Sequence, residues 1–196
     1  MRVIAGTAGG RTLVAPRSRA TRPITDLVKE SLFGTLGERV PGARFLDLYA
    51  GSGAVGIEAL SRGAAACTFV ERGREALAAL RRNLEATGLA ADAVVRPTDV
   101  TAFLAAAGRE RFDLVMVDPP FADHAILAPL QALQSLLAPG AMVVVRTFWR
   151  TAVPAPEDLA VVRQRRFGET MLTFLASPQP EGEAAGERNP SAGGER

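Results

Sequence analysis

The sequence predicts a doubly wound α/β fold built on a mostly parallel seven-stranded sheet. Three observations carry this. Short apolar runs alternate with segments of helical period from about residue 44 to residue 176. Glycine, proline and polar residues punctuate the joins. Hydrophobic residues make up 47% of the 196-residue chain, enough to bury a sheet on both faces. A small N-terminal β-hairpin and helix is expected to precede the sheet.

The elements follow in order. In residues 2–16 two short apolar runs flank a glycine-rich turn, which predicts a hairpin. Residues 17–24 form a basic loop ending at Arg22-Pro23. A helix is expected over 25–38, capped by Thr25, with Asp26 in its first turn and Val28, Leu32 and Leu36 on one face. Pro41-Gly42 ends it. Strands are expected at 44–49, 67–70, 93–96, 112–117 and 141–146, and a closing pair at 159–166 and 170–176. Helices are expected up to Leu60, over 75–87 (closed by Gly88), over 100–107 and over 126–137, the last tolerating Pro129 near its start. Residues 1–40 are expected to form a hairpin-and-helix extension, 41–176 the main α/β domain and 177–196 a disordered tail poor in periodicity.

Composition excludes several classes. No run of about eighteen apolar residues marks a membrane span, and the start lacks a signal peptide's pattern. Cys67 is the single cysteine, so no internal disulfide forms, and a cytoplasmic home is expected. One histidine, His124, and one cysteine make no zinc ligand set, so no metal is expected. Cys67 is expected in the core, His124 at the start of a helix, and Trp149 in a loop. The net charge of +2 is uneven: residues 1–40 hold seven basic against three acidic side chains, a candidate surface for a polyanion or simply a solvated arm.

Two motifs carry chemistry. Residues 45–56 run from a strand through a glycine-rich turn into a helix. Gly51, Gly53 and Gly56 satisfy the G-x-G-x-x-G dinucleotide pattern, and Glu71 lies twenty residues after Gly51, where an acid grips ribose hydroxyls. A nicotinamide or flavin oxidoreductase is therefore one alternative. Asp47 on the strand argues against it: a carboxylate repels pyrophosphate, which prefers bare N–H groups at a helix start. It suits the cationic ammonium and sulfonium of S-adenosylmethionine. The second motif, Asp118-Pro119-Pro120-Phe121, ends a buried strand. Two prolines remove two N–H donors and leave acceptors, the Asp118 carboxylate and the Pro119 carbonyl. Two acceptors orient the hydrogens of an exocyclic amine and aim its lone pair at a methyl group. Phe121 offers a flat face for base stacking, worth roughly 1–3 kcal/mol.

Asp47-x-Tyr49-Ala50-Gly51-Ser52-Gly53 resembles motif I of the class I methyltransferases, and residues 118–121 resemble the reactive motif of the amino-group enzymes. By that resemblance the sheet is the Rossmann-like one of class I methyltransferases. Asp47, Tyr49, Ala50, Gly51, Ser52 and Gly53 then surround the methionine end of S-adenosylmethionine, Glu71 takes the ribose, and Asp99 lies near the adenine. Asp99 is equally well placed to cap a helix ahead of Thr101.

Residues 22–33, Ile4-Ala5-Gly6, Gly9-Gly10-Arg11, residues 58–64 and residues 167–170 resemble the RsmD family, over roughly residues 2–176. That family methylates guanine N2 in 16S ribosomal RNA. The resemblance implies ribosomal RNA or the small ribosomal subunit as partner, a monomer, and RNA contacts at Arg11, Arg22, Thr25 and Lys29. Arg17 and Arg19 are expected to be solvated charges. The chain departs from the family at Arg146, where an acid is usual, at Arg72-Gly73, at Ile24 and at Lys29. None of these is expected to touch Asp118, and Arg146 is expected on the RNA-facing rim. Adenine N6 in DNA or RNA is the alternative acceptor, and a non-catalytic RNA-binding module the third possibility.

Overall fold

A computed structural model describes residues 1–16, 24–106, 108–120 and 126–177. Arg22, Phe121, His124 and residues 178–196 of the expected tail lie outside the described residues.

Seven strands form one sheet in the order β3-β2-β1-β4-β5-β7-β6. They are β1 (Arg44–Leu48), β2 (Ala66–Val70), β3 (Ala93–Arg96), β4 (Phe112–Val117), β5 (Leu137–Phe148), β6 (Ala160–Phe167) and β7 (Thr170–Ala176). The first five run parallel, and β7 pairs antiparallel with both β5 and β6. The sheet is therefore mixed, with β7 alone reversed. The helices are α1 (Asp26–Leu36), α2 (Ala54–Ser61), α3 (Arg74–Thr87), α4 (Val100–Ala106) and α5 (Leu127–Leu133).

Strand alternation sorts the core into two layers. Phe45, Leu114, Met116, Val144, Leu172 and Phe174 pack with α1, α2 and α3. Leu46, Leu48, Val115, Val117, Val143, Val145 and Leu175 pack with α4 and α5 on the opposite face. A strand covered on both sides is apolar at successive positions, which is why β4 reads as an unbroken apolar run from Leu114 to Val117, after the exposed Asp113. α1 starts where the Thr25 hydroxyl accepts from Val28 N (3.4 Å). It stops at Gly37, whose positive φ of 51° ends the turn.

Three expectations need correction. Residues 2–16 double back with Val3 N donating to Arg11 O (2.9 Å) and Leu13 N to Met1 O (3.0 Å), but only the isolated bridge Arg2–Thr12 forms, not a regular hairpin. The helix expected over 126–137 ends at Leu133, followed by one 3-10 turn at Gln134–Leu136. β5 is longer than expected. Its register jumps between Phe112–Leu137 and Leu114–Met142, so residues 138–141 bulge out, and pairing with β7 carries it on to Phe148.

The N-terminal segment is tied down by polar side chains of α2. Glu58, with no exposed surface, accepts from Ile4 N (2.7 Å), Ala5 N (3.1 Å), Lys29 Nζ (3.2 Å) and Arg62 Nε (2.7 Å). Ser61 Oγ donates to Ala5 O (2.6 Å) and accepts from Ala8 N (2.9 Å). A Cβ at Gly6 would lie 1.7 Å from Ser61 O, so only glycine fits there.

Lys29, expected to contact RNA, is fully buried and paired with Glu58. Removing one member of a buried pair strands the other charge. Lys29→Met is expected to lower unfolding stability by about 3 kcal/mol in urea titrations, with little change in the salt dependence of RNA binding.

Candidate active site

The sheet order reverses between β1 and β4, which lie side by side with β2 and β3 on one flank and β5 on the other. Open α/β sheets bind ligands at such a point, beyond the carboxyl ends of the strands. Both chemical motifs meet there. The glycine turn leaves β1, the Asp-Pro-Pro tip leaves β4, and Asp118 N donates to Leu48 O (3.3 Å).

The turn is strained at its entry, where Tyr49 adopts φ 61°. Ala50 N donates to Val70 O (3.0 Å) and Gly51 N to Glu71 Oε2 (2.8 Å), so the turn is anchored on the end of β2. Glu71 Oε1 accepts from Arg72 N (2.8 Å) and Gly73 N (2.6 Å). Ser52 is buried, and its carbonyl accepts from Asn83 Nδ2 (2.9 Å). The glycines serve different ends. A Cβ at Gly53 would strike Leu80 at 2.2 Å and one at Gly56 would strike Phe69 at 2.3 Å, so these two let α2 press onto its neighbours. A Cβ at Gly51 would meet nothing nearer than Tyr49 O at 4.0 Å, so the space above it is open.

Asp47 does not face that opening directly. It is 2% exposed, and its Oδ2 accepts from Gly56 N (2.9 Å) at the start of α2. Apart from the cofactor contact expected of it, a carboxylate of the chain thus already occupies the helix start. Pyrophosphate would find its usual N–H taken by an acid. Burial pushes the Asp47 carboxyl up to about 8; the Gly56 N–H opposes this, and Asp118 and Glu71 add to it.

Asp118 is less enclosed, its side chain 22% exposed. Burial raises its carboxyl, and the charge and hydrogen bond of Arg146 pull it back down. Arg146 Nη1 donates to Asp118 Oδ2 at 2.7 Å, and Arg146 is 4% exposed. This corrects the expectation that the family departures stay clear of Asp118 and that Arg146 sits on a rim. Beside the pair, Pro119 is buried and Pro120 exposed. A shallow cleft is lined by Pro119, Pro120, Ile126, Arg146, Phe148 and Thr151 among others.

The remaining expected residues scatter. Asp99 Oδ1 accepts from Thr101 N (2.8 Å) and its Oδ2 pairs with Arg72 (3.0 Å), so it caps α4. Thr25 caps α1. Arg11 is exposed and donates to Ala86 O (3.2 Å). Sequence reasoning missed Asn83. It bonds Ser52 O and, through both ends of its amide, the backbone of Val14, stapling the N-terminal segment to the glycine turn. An asparagine inside an amphipathic helix gives no sequence signal of that. Trp149 carries Arg150 and Arg166 over its ring at 4.7 and 3.7 Å. Among the described residues no three metal-ligating side chains gather, and no helix is long and apolar enough to cross a membrane.

Acidic groups around an open glycine turn suit a cationic ligand with a ribose diol. Fold and site define a class I methyltransferase of the Rossmann-like kind. The model of the family described as Conserved hypothetical protein 95 matches residues 1–176, and the chain belongs to that family, the RsmD family. Bacillus subtilis YlbH is 40% identical over 178 residues, covering 87% of this chain and 95% of that protein. The Escherichia coli K12 ribosomal RNA small subunit methyltransferase D is 37% identical over 172 residues, 86% of each. The solved structure of Escherichia coli yhhF superposes with a TM-score of 0.81 at 34% identity, over 91% of this chain and 98% of that one.

A carboxyl kept protonated in the folded chain and ionised in the unfolded chain costs stability as pH rises between its two values. Wild type is expected to lose stability between pH 3.8 and about 8 relative to Asp47→Asn, which keeps an acceptor for Gly56 N. Denaturant unfolding of both proteins across that window checks this.

Proposed function

We propose that the protein transfers a methyl group from S-adenosylmethionine to the exocyclic N2 of a guanine in small-subunit ribosomal RNA. The observation that carries this is the meeting of the Asp-Pro-Pro tip of β4 with the glycine turn of β1 at the reversal of strand order. Membership of the RsmD family supports the choice of acceptor.

The residues present fit the cofactor. The open space over Gly51 leaves room for the methionine end, and Glu71, at the end of β2, is placed for the ribose. When bound, the cofactor supplies an electrophilic methyl on a sulfonium. The protein's part is positioning. Asp118 accepts one hydrogen of the amine and the Pro119 carbonyl the other, because neither proline offers an N–H to compete. Holding both hydrogens favours a pyramidal nitrogen with its lone pair directed for in-line attack. Asp118 is also the nearest described carboxylate to receive the proton that the nitrogen sheds. Arg11, and Arg22 outside the described residues, are the remaining N-terminal candidates for phosphate contact, which positions RNA without reading its sequence. A nucleotide-dependent oxidoreductase, whose cofactor carries a pyrophosphate, is disfavoured because Asp47 occupies the start of α2.

Radiolabelled S-adenosylmethionine and small subunits lacking their native methylation, followed by nucleoside analysis, test the proposal. The expected product is N2-methylguanosine. Label in N6-methyladenosine would keep the mechanism and reject the acceptor. Asp118→Ala is expected to lower turnover by about a thousandfold or more while cofactor affinity, measured calorimetrically, changes little. Retained turnover in that variant would remove Asp118 from the mechanism.

A further inference from the structure

Asp118 has an orientation problem that its own loop cannot solve. An aspartate at a turn is usually held by backbone N–H groups one or two residues on. Here both following residues are prolines and offer none. The Asp118 N–H is itself spent on Leu48 O. The carboxylate must be held by another element, and the donor present is Arg146 Nη1 at 2.7 Å from Oδ2.

Arg146 is well built for that task. Asp118 and Arg146 stand one residue beyond the Val117–Val145 register pair, on the same sheet face as Met116 and Val144. β5 is paired on both sides, with β4 and β7, and Arg146 lies opposite Leu172 in the ladder. Its Cα therefore has little freedom, and a planar guanidinium fixes a carboxylate better than an ammonium does. Among the described residues, the other titratable groups that Asp118 shares the site with are carboxyls: Asp47 from β1, with Glu71 beyond it at the end of β2. Without Arg146, burial would push the Asp118 carboxyl up unopposed, favouring the protonated form, a donor and the wrong polarity for gripping amine hydrogens.

We propose that Arg146 is the positioning residue of the amine site: its guanidinium grips Asp118 Oδ2 and presents Oδ1 to a hydrogen of the acceptor amine. This rests on the methyl-transfer reading above.

The test uses the full chain with Arg146→Met, Arg146→Gln and Arg146→Lys. Methyl transfer to undermethylated small subunits is followed across pH, and the Asp118 carboxyl carbon is followed by NMR in the free protein. Met and Gln are expected to lower kcat at neutral pH by about tenfold or more, with KM for the subunit nearly unchanged. They are also expected to raise the acid limb of the kcat profile and the Asp118 titration by about one pH unit or more. Lys is expected to restore the acid limb and part of kcat. Gln is the milder change and decides the matter if the Met variant fails to fold. An unmoved acid limb and Asp118 titration overturns the proposal, and so does a loss confined to KM, which would make Arg146 an RNA contact. If wild type transfers no methyl group to subunits, the functional reading fails, while the Asp118 titration still decides whether Arg146 holds that carboxylate.

Discussion

The carboxylate of Glu58 is the point on which the arrangement of the N-terminal segment depends. It is fully buried and takes four donors: two backbone N–H groups from residues 4 and 5, Lys29 from α1 and Arg62 from its own helix. Lys29 also donates to the Arg2 carbonyl. A charge at that depth is tolerated only when its lone pairs are filled, so the segment, α1 and α2 must come together at once. α2 starts directly after the glycine turn, so what Glu58 fixes is carried to the active site along the helix from Glu58 back to Ala54. Asn83 makes a second link, from Val14 to the carbonyl of Ser52. The N-terminal residues are thus part of the wall of the cofactor turn rather than a detachable arm.

At the site itself the governing constraint is electrostatic. Asp47, Glu71 and Asp118 converge near the reversal of strand order, and each is handled differently. Asp47 is buried against the start of α2, Glu71 is satisfied by backbone N–H groups of its own turn and the glycine turn, and Asp118 is paired with Arg146. The first is a structural brace. The second remains near the surface at the end of β2. The third keeps an acceptor at the reactive tip. Asp47 takes the helix-start N–H that a pyrophosphate would use, which weighs against one of the two cofactors that the glycine pattern alone admits.

Family signatures that look independent in the sequence turn out to be one interface. Ile4-Ala5-Gly6 and residues 58–64 are the two halves of the contact around Glu58 and Ser61, with Gly6 small because Ser61 O occupies the place of a Cβ. Lys29, within the signature of residues 22–33, completes it from α1. A basic residue in a basic N-terminal region reads as a phosphate contact from sequence alone. Nothing local reveals that an acid 29 residues away is waiting for it.

The sequence by itself determined what depends on short-range periodicity and stereochemistry. The alternation of strands and helices, the capped start of α1, the glycine exit of β1 and the proline-stiffened tip of β4 were legible because each is set within a few residues. The cap role of Asp99 was legible as one of two options for the same reason. The tertiary structure alone decided where buried charge is neutralised. Lys29 with Glu58, Arg146 with Asp118 and Asp47 with Gly56 are pairings across the fold or around a turn, and the cost of burying an unpaired charge selects them. That cost depends on which strands become neighbours, and strand order is not written in any local stretch of the chain.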